Sequence, residues 1–434
     1  MRRHTIRLLL TGLLIGGTAV QAPTAAAAPP DAGGEVVRAW NDLSFRTTRL
    51  KSASDAVAAR VYAMVNVAIY DAVNGLAQSS SQRRAPAVVA PVPGAHGDAR
   101  AAAAGAAHDV LVALYPDQAA QYDARLATDL AAASPAAQAR AGREWGAEVA
   151  QGVLAARSND GSSPSQTQFP PPGQPIGAFH TSWGGVQFRD FKPFVIADPD
   201  SYTGEGPPAL SSEAYATAFN EVKVLGNAAL PDAEKSATFS FWHLAGGTNQ
   251  PPGAWLQVAQ DVSESQRLSL SDTARLFALQ SMAMADSVAP TYQTKYDHFF
   301  WRPQTAIRAA LDDGNPATAP DTQWAARAGS IGSSPENWSG HSSFSAAAAT
   351  VLAGFFCQDD LGFTLTSDTS GATRSYPSFS AAALEAGRSR VLGGFHFQFS
   401  NQAGLDAGRA IADEVLAKAL LPVRGSARRD TCAG

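Results

Sequence analysis

Apolar residues recur at helical spacing along most of this chain, and few stretches show the alternation of a strand. The first helical stretch, residues 35–76, contains VAARVYAMVNVAIYDAVNG and closes on Asn74 and Gly75, a pair typical of a helix C-terminus. The same periodicity predicts further helices over about 98–115, 118–133, 136–157, 212–228, 232–245, 254–262, 271–297, 340–356, 378–392 and 402–419. The pattern predicts an all-α protein made of stacked helical bundles.

Residues 158–210 interrupt the helical pattern. They are rich in Gly, Pro and Ser, which disfavour regular elements, yet Phe, Trp and Tyr recur among them. Recurring aromatic residues indicate an ordered segment rather than a flexible linker. We therefore expect an irregular insert that forms a wall or lid of a functional pocket.

The N-terminus has the order of a secretory signal peptide. Three arginines precede an apolar stretch from Leu8 to about Val20, and small residues end near Ala28. The apolar stretch is shorter than the roughly 20 residues that a membrane-spanning helix needs. We expect residues 1–28 to be cleaved, and residues 29–434 to form a single exported all-α domain without a stable membrane anchor.

Charge and cysteine content exclude some classes of protein. The net charge is −5, from 33 Lys and Arg against 38 Asp and Glu, without a run of like charges, so a nucleic-acid-binding surface is not expected. The two cysteines, Cys357 and Cys432, cannot build a zinc site alone. In an oxidising compartment they could form one disulfide that ties the C-terminal tail to the body.

The segment KYDHFFWRPQTAIR contains two cations at helical spacing. Lys295 and Arg302 lie seven residues apart, which is two helical turns, so they can point the same way. Two cations on one face suit a tetrahedral oxyanion. The alternative is a pair of solvated surface charges, but the aromatic residues 299–301 between them indicate a partly buried setting.

A second candidate segment, ENWSGHSSFSAAAATVLAGFF, places Ser339, Gly340 and His341 just before an apolar helix. The first N–H groups of a helix lack partners within the helix, and together with its dipole they favour an anion. The alternative is that Ser339 only caps the helix and His341 is a turn residue.

The third segment, RSRVLGGFHF, has Arg390 and His396 six residues apart, a spacing that does not share a helix face. Gly393 and Gly394 lie between them and can bend or end the helix, so that His396 reaches a point shared with Arg390. A histidine here without the other segments would more often be a core residue.

In this order, Lys-x6-Arg-Pro, Ser-Gly-His and Ser-Arg-x5-His form a pattern far more specific than any of its parts. The sequence resembles the vanadium-dependent haloperoxidases, which share a helical core and an oxyanion pocket with the phosphatidic acid phosphatases type 2 and bacterial acid phosphatases. The resemblance covers roughly residues 45–75 and 270–420, and includes FWRPQTAIRAALDDGNPAT and SFSAAALEAGRSRVLGGFHFQFSNQAGLDAGRAIADEVL. It implies the stacked-bundle fold of that family, with the oxyanion site within about 270–420.

The resemblance also implies roles for individual residues. His396 would be the metal ligand, bound to vanadate through a ring nitrogen, and His341 the acid–base residue. The oxygens of vanadate would be held by Lys295, Arg302, Ser339, Gly340 and Arg390. Lys295 would also polarise bound peroxide, which makes His341, Lys295 and His396 the implied catalytic residues. The implied cofactor is vanadate, and the implied substrates are hydrogen peroxide, a halide and a small organic acceptor.

This chain departs from the family pattern at three positions. Trp338 stands where the second motif usually has Pro. Ser400 stands where many relatives have Asp, which removes a carboxylate that could orient His396. Ser334, seven residues before His341, stands where some haloperoxidases have an aromatic residue or His, so the halide preference is open.

Two other functions are compatible with the same residues. The first is a secreted phosphatase that hydrolyses phosphate monoesters through a phosphohistidine on His396, because vanadate and the phosphoryl transition state share shape and charge. The second is a helical protein that binds an oxyanion without catalysis or is purely structural. Asp297 and His298 lie beside the site in sequence and are further candidates for a catalytic part.

Overall fold

The computed structural model describes residues 33–77, 83–133 and 135–423, and within them the all-α prediction is confirmed. The helices are α1 Glu35–Leu50, α2 Asp55–Gly75, α3 Ala99–Leu114, α4 Ala119–Ala132, α5 Ala136–Ala156, α6 Glu213–Leu225, α7 Ala233–Trp242, α8 Gln250–Ser265, α9 Leu270–Asp286, α10 Val288–His298, α11 Pro303–Arg308, α12 Gly340–Phe356, α13 Phe379–Leu392 and α14 Gln398–Lys418. The predicted signal peptide and Cys432 lie outside the described residues. The Cys357–Cys432 disulfide and the domain boundary at residue 28 therefore stay predictions.

Two long helical predictions are wrong in their continuity. The stretch 35–76 breaks between α1 and α2, where Ser52 takes a φ of 46° and Ser54 caps the new helix by accepting a hydrogen bond from Val57 N. The stretch 271–297 breaks at Ser287, the residue between α9 and α10. Pro290 follows in the first turn of α10, and it has no N–H with which to continue the α9 hydrogen-bond pattern.

Strands are minor elements of the described structure. Strands β1 Thr167–Gln168 and β2 Trp183–Gly184 form one antiparallel pair, and β3 Phe363–Thr366 and β4 Thr373–Tyr376 form another. The β3–β4 hairpin was not predicted because its four-residue strands are too short for a clear alternating pattern.

The main hydrophobic core surrounds α2 and α9, which are buried along nearly their whole length. Helix α2 is long and apolar enough to cross a membrane by composition, but 89% of its apolar window is buried inside the protein, as in a core helix. A second cluster, with Tyr215, Phe300, Trp301 and Phe397 among its members, lies beside the turn from α10 to α11. The two clusters fix the ends of several helices that carry the site.

The insert 158–210 is irregular, as predicted, and it is attached to the core by Asp286. The Asp286 carboxylate at the end of α9 accepts backbone hydrogen bonds from Phe194 at 2.5 Å, Val195 at 2.8 Å and Ile196 at 3.1 Å. One buried carboxylate thus orders a turn of the insert that has no regular secondary structure.

Candidate active site

A cavity of about 730 Å³ opens where the start of α2, the turn from α10 to α11, the start of α12 and the turn from α13 to α14 converge. The predicted site residues that line it are Lys295, Arg302, Gly340, His341, Arg390 and His396. Ser339 is fully buried behind the wall rather than part of it. The three segments singled out in the sequence therefore meet at one place.

Lys295 and Arg302 reach the cavity from two elements, and the expectation of one shared helix face is wrong. Helix α10 ends at His298, and Phe299 turns the chain with a φ of 43°. Arg302 then stands just before Pro303 at the start of α11. The turn, and not a helical repeat, brings the two cations together.

Both cations are held by backbone carbonyl groups. Lys295 Nζ donates to the carbonyl oxygens of Pro335 at 2.5 Å and of Glu336 at 3.3 Å. Arg302 donates from Nε to Ser334 O at 2.8 Å and from Nη1 to Phe395 O at 2.8 Å. These bonds fix the positive groups without neutralising their charge.

The start of α12 presents backbone N–H groups to the cavity. Ser339 caps the helix, because its hydroxyl accepts a hydrogen bond of 3.3 Å from Ser342 N. Gly340 and His341 form the first turn, whose N–H groups lack partners within the helix. In this arrangement Ser339 serves the cap, and its direct contact with an oxyanion stays a prediction.

The turn between Arg390 and His396 has the form that its glycines predict. Helix α13 ends at Leu392, and Gly394 takes a φ of 76°. The backbone N–H groups of Phe395 and His396 both donate to Arg390 O, at 2.9 and 3.3 Å. Arg390 and His396 consequently line the same cavity.

His396 is oriented by a carboxylate that the sequence reasoning missed. Arg302 Nη1, which can only donate, lies 3.0 Å from His396 Nε2, so Nε2 accepts and the neutral ring carries its proton on Nδ1. His396 Nδ1 lies 3.0 Å from Glu336 Oε1 and 3.2 Å from Ser400 Oγ. Glu336 is fully buried and also accepts from Phe397 N at 2.9 Å. It supplies the carboxylate whose loss at position 400 the sequence indicated.

His341 is oriented by a carbonyl group. Its Nε2 lies 3.0 Å from the carbonyl oxygen of His243, so Nε2 donates and Nδ1 is the basic nitrogen of the neutral ring. Burial and the charge of Arg390 hold the pKa of His341 well below its usual value. Burial, followed by Arg302 and Lys295, does the same to the pKa of His396. Both imidazoles are therefore neutral at neutral pH.

The cations lie in a setting that an anion would stabilise. Burial and Arg302 lower the pKa of Lys295 well below its ordinary value, and burial lowers the pKa of Arg302 to about 10. Burial and Arg302 also lower the pKa of Arg390. Arg390 Nε is buried and has no hydrogen-bond partner among the described residues. An oxyanion in the cavity would restore both charge balance and hydrogen bonds.

The cavity has a further wall that sequence reasoning did not assign. Asp55 at the start of α2 lines it, as do Tyr292, Gln250 and His243. The His243 ring packs against two phenyl rings, 4.9 Å from that of Phe239 and 5.9 Å from that of Phe395, measured between ring centroids. No motif marked these positions, because each lies in a stretch that reads as ordinary helix or loop.

Other candidates have positions that limit their roles. Ser334 lines the cavity and holds Arg302 through its carbonyl oxygen, and its hydroxyl lies 3.2 Å from Arg302 Nη2. Asp297 and His298 are exposed and are not part of the cavity wall. From the insert 158–210, Gly184 lines the described cavity wall, so the insert contributes to the wall at this point, and its role as a lid stays a prediction.

Comparison with known proteins agrees with this geometry. Residues 275–425 match a family model that describes the VCPO second helical-bundle domain. No curated protein matches the sequence. Among solved structures, the fold is similar to that of a bacterial vanadium-dependent iodoperoxidase, with a TM-score of 0.77 and 21% identity over 92% of this chain and 100% of that chain.

Two structures of bacterial vanadium-dependent chloroperoxidase are also similar. The holo form has a TM-score of 0.61 and 17% identity over 83% of this chain and 91% of that chain. The apo form has a TM-score of 0.63 and 18% identity over 83% and 92%. The matched region 275–425 contains every cation and both histidines of the predicted site. The solved structures show that the chain shares the fold of these bacterial haloperoxidases.

Proposed function

We propose that the protein is a vanadium-dependent haloperoxidase, which oxidises a halide with hydrogen peroxide and so halogenates a small organic acceptor. The observation that carries the proposal is the convergence of Lys295, Arg302, Arg390 and the neutral His396 in one cavity. The match of residues 275–425 to the VCPO second helical-bundle domain and the fold shared with a vanadium-dependent iodoperoxidase support peroxide chemistry over the phosphatase alternative.

The residues present fit vanadate. Lys295, Arg302 and Arg390 supply charge, and the N–H groups at Gly340 supply uncharged donors. The buried Arg390 Nε is a donor without a hydrogen-bond partner among the described residues. His396 Nε2 carries a lone pair and lies next to Arg302. When bound, vanadate supplies a Lewis-acidic centre at which hydrogen peroxide becomes reactive toward a halide.

The protein's own residues would manage protons and charge. His341 Nδ1 is free to take a proton from peroxide, because Nε2 is committed to the His243 carbonyl group. Lys295 has three N–H donors, two of which contact Pro335 O and Glu336 O, so one remains for a substrate oxygen. Burial of both groups strengthens these interactions relative to water.

Export is the second part of the proposal. The signal-peptide pattern of residues 1–28 supports a secreted enzyme. Mass spectrometry of protein from the culture medium should show a new N-terminus near residue 29. Full-length protein confined to the cell would contradict export.

The activity is tested by halogenation of a chromogenic acceptor with hydrogen peroxide and iodide or bromide, before and after loading with orthovanadate in phosphate-free buffer. Turnover should require vanadate and be absent from His396→Ala. A folded, vanadate-loaded protein without turnover, together with burst release of alcohol from a phosphate ester, would contradict the proposal and favour the phosphatase.

A further inference from the structure

A carboxylate lies inside the cationic cavity. Asp55, the first residue of α2, lines the cavity together with Lys295 and Arg390. Its Oδ2 atom is 3.5 Å from the position that a Cβ on Gly340 would occupy. We propose that Asp55 makes the site select oxyanions that carry a proton, such as hydrogen vanadate or hydrogen phosphate, over oxyanions that carry none, such as sulfate.

The Asp55 side chain is held in place at the start of its helix. Oδ1 accepts a hydrogen bond of 2.8 Å from Ala56 N, and Tyr292 lines the same cavity. Oδ2 is the oxygen nearest to Gly340, at the start of α12. The carboxylate thus lies beside the first turn of α12, whose backbone N–H groups would meet an anion.

The selectivity follows from hydrogen-bond chemistry. Burial raises the pKa of Asp55, whereas the hydrogen bond from Ala56 N and the charge of Lys295 favour its ionised form. The ionised carboxylate only accepts hydrogen bonds, and the oxygens of an unprotonated oxyanion also only accept them. Asp55 therefore repels sulfate, which has no proton at neutral pH. It accepts an O–H···O hydrogen bond from hydrogen phosphate or hydrogen vanadate. Bound sulfate could not donate this hydrogen bond and would leave the buried Asp55 carboxylate unpaired.

A simple counter-ion would behave differently. The charge of Asp55 partly offsets the lowering of the pKa values of Lys295 and Arg390 that burial causes. If that were its only effect, its removal would strengthen the binding of every oxyanion by a similar factor. A hydrogen-bond acceptor instead changes the ratio between a protonated and an unprotonated anion.

The inference rests on the proposed function only for the location of the oxyanion. Isothermal titration calorimetry of vanadate-free protein with inorganic phosphate and with sulfate measures the affinity ratio directly. In Asp55→Asn, an amide N–H can donate to sulfate, so the preference for phosphate should fall about tenfold or more. Asp297→Asn removes the same charge from an exposed residue outside the cavity wall and should keep the ratio within about twofold.

Asp55→Ala is a second variant that lacks both donor and acceptor. It should weaken phosphate binding relative to the wild type and bring the ratio near that of Asp55→Asn. Thermal unfolding checks that both variants fold. An unchanged ratio, an equal gain for both anions, or no binding of either anion by the wild type would overturn the inference.

The outcomes separate this inference from the proposed function. A wild-type protein that shows the expected ratios but oxidises no halide with vanadate supports the role of Asp55 and contradicts the haloperoxidase. A protein that oxidises halide while Asp55→Asn keeps the wild-type ratio supports the haloperoxidase and overturns the role of Asp55.

Discussion

The helix pairs α3–α5 and α12–α14 use glycine in the same way. In α5, a Cβ on Gly142 would lie 2.2 Å from Asp98 O, and one on Gly146 would lie 2.3 Å from Ala102 O. Real Cβ atoms do not approach so closely, so only glycine lets the backbones of α3 and α5 come together. Residues of α3 and α5 are absent from the described cavity wall, so this contact serves the fold alone.

In the pair α12–α14, the close contacts at glycine lie next to the site. A Cβ on Gly404 would lie 2.6 Å from Ser339 O, and one on Gly408 would lie 2.2 Å from Ser343 O. Helix α12 starts at the anion-binding turn, and α14 starts just after His396. The separation of the two helices therefore sets the position of His396 relative to Gly340. The same glycine packing supports only the fold in α3–α5, whereas in α12–α14 it also positions the residues of the site.

The largest expected effect is at the start of α12. His341→Ala should lower halide oxidation on the order of 10²- to 10⁴-fold, because it removes the base, while most vanadate binding remains. Steady-state rates and vanadium content after dialysis measure the two properties separately. If His341→Ala loses vanadium as fully as His396→Ala, the division of roles between the two histidines is wrong.

The carboxylate behind His396 is expected to have the next largest effect. Glu336→Gln should weaken vanadate binding about 10- to 100-fold, because the amide carries no negative charge and can present either an acceptor or a donor to His396 Nδ1. Adding Ser400→Asp should restore much of the affinity, since Ser400 Oγ already lies 3.2 Å from Nδ1. An equal affinity in wild type and Glu336→Gln would show that the carboxylate does not position the ring.

Adding a methyl group between α12 and α14 tests whether the packing of this helix pair positions the site. Gly408→Ala places a Cβ against Ser343 O, so the helices must separate, at a cost of about 1–3 kcal/mol in the free energy of unfolding. Vanadate affinity should fall about tenfold, because the start of α14 carries the turn with His396. Urea unfolding and vanadate titration measure the two effects.

Gly146→Ala is the matched control in α5. It should cost a similar 1–3 kcal/mol, about the range for overpacking, because its Cβ would meet Ala102 O. Vanadate affinity of the folded variant should stay within about twofold of the wild type. A large loss of vanadate affinity in Gly146→Ala would mean that the packing of α3–α5 also affects the site, which contradicts the assignment of that packing to the fold alone.

Two histidines extend the comparison to pH. Burial lowers the pKa of His108 on α3, but hydrogen bonds to Asp109 and Asp123 outweigh it, so its pKa lies above 6.5, whereas that of His396 lies well below. His108 therefore stabilises the fold below pH 6.5, and this contribution is lost as pH rises through its folded pKa. His396 acts in the opposite direction. As pH falls from 6.5 toward its folded pKa, the unfolded chain binds a proton that the folded protein does not, so the free energy of unfolding decreases.

Ring ¹⁵N shifts of the vanadate-free protein test this difference. At about pH 6.5 they should show His108 more charged than neutral and a neutral His396 with the proton on Nδ1. A charged His396 at that pH would contradict its assignment as a neutral ligand.

The helices and the motif residues could largely be predicted from the sequence because both depend on local patterns. Helix α12 matches its predicted range 340–356, since a Ser cap precedes an unbroken run of small and apolar residues. The turn at Gly393 and Gly394 was predictable because glycine at that spacing has a direct conformational meaning.

The remaining features depend on tertiary contacts. Lys295 and Arg302 converge through the positive φ of Phe299, which helical spacing does not indicate. Glu336 lies in an irregular loop sixty residues before His396, and Asp55 reads as an ordinary first residue of a helix. Only the fold shows that both carboxylates belong to the site.

The most direct test of the account is vanadium content per chain after loading with orthovanadate and dialysis in phosphate-free buffer. The account predicts close to one vanadium in the wild type and in Gly146→Ala, and almost none in His396→Ala. Equal vanadium in the wild type and in a folded His396→Ala would contradict the claim that the cavity holds vanadate through His396.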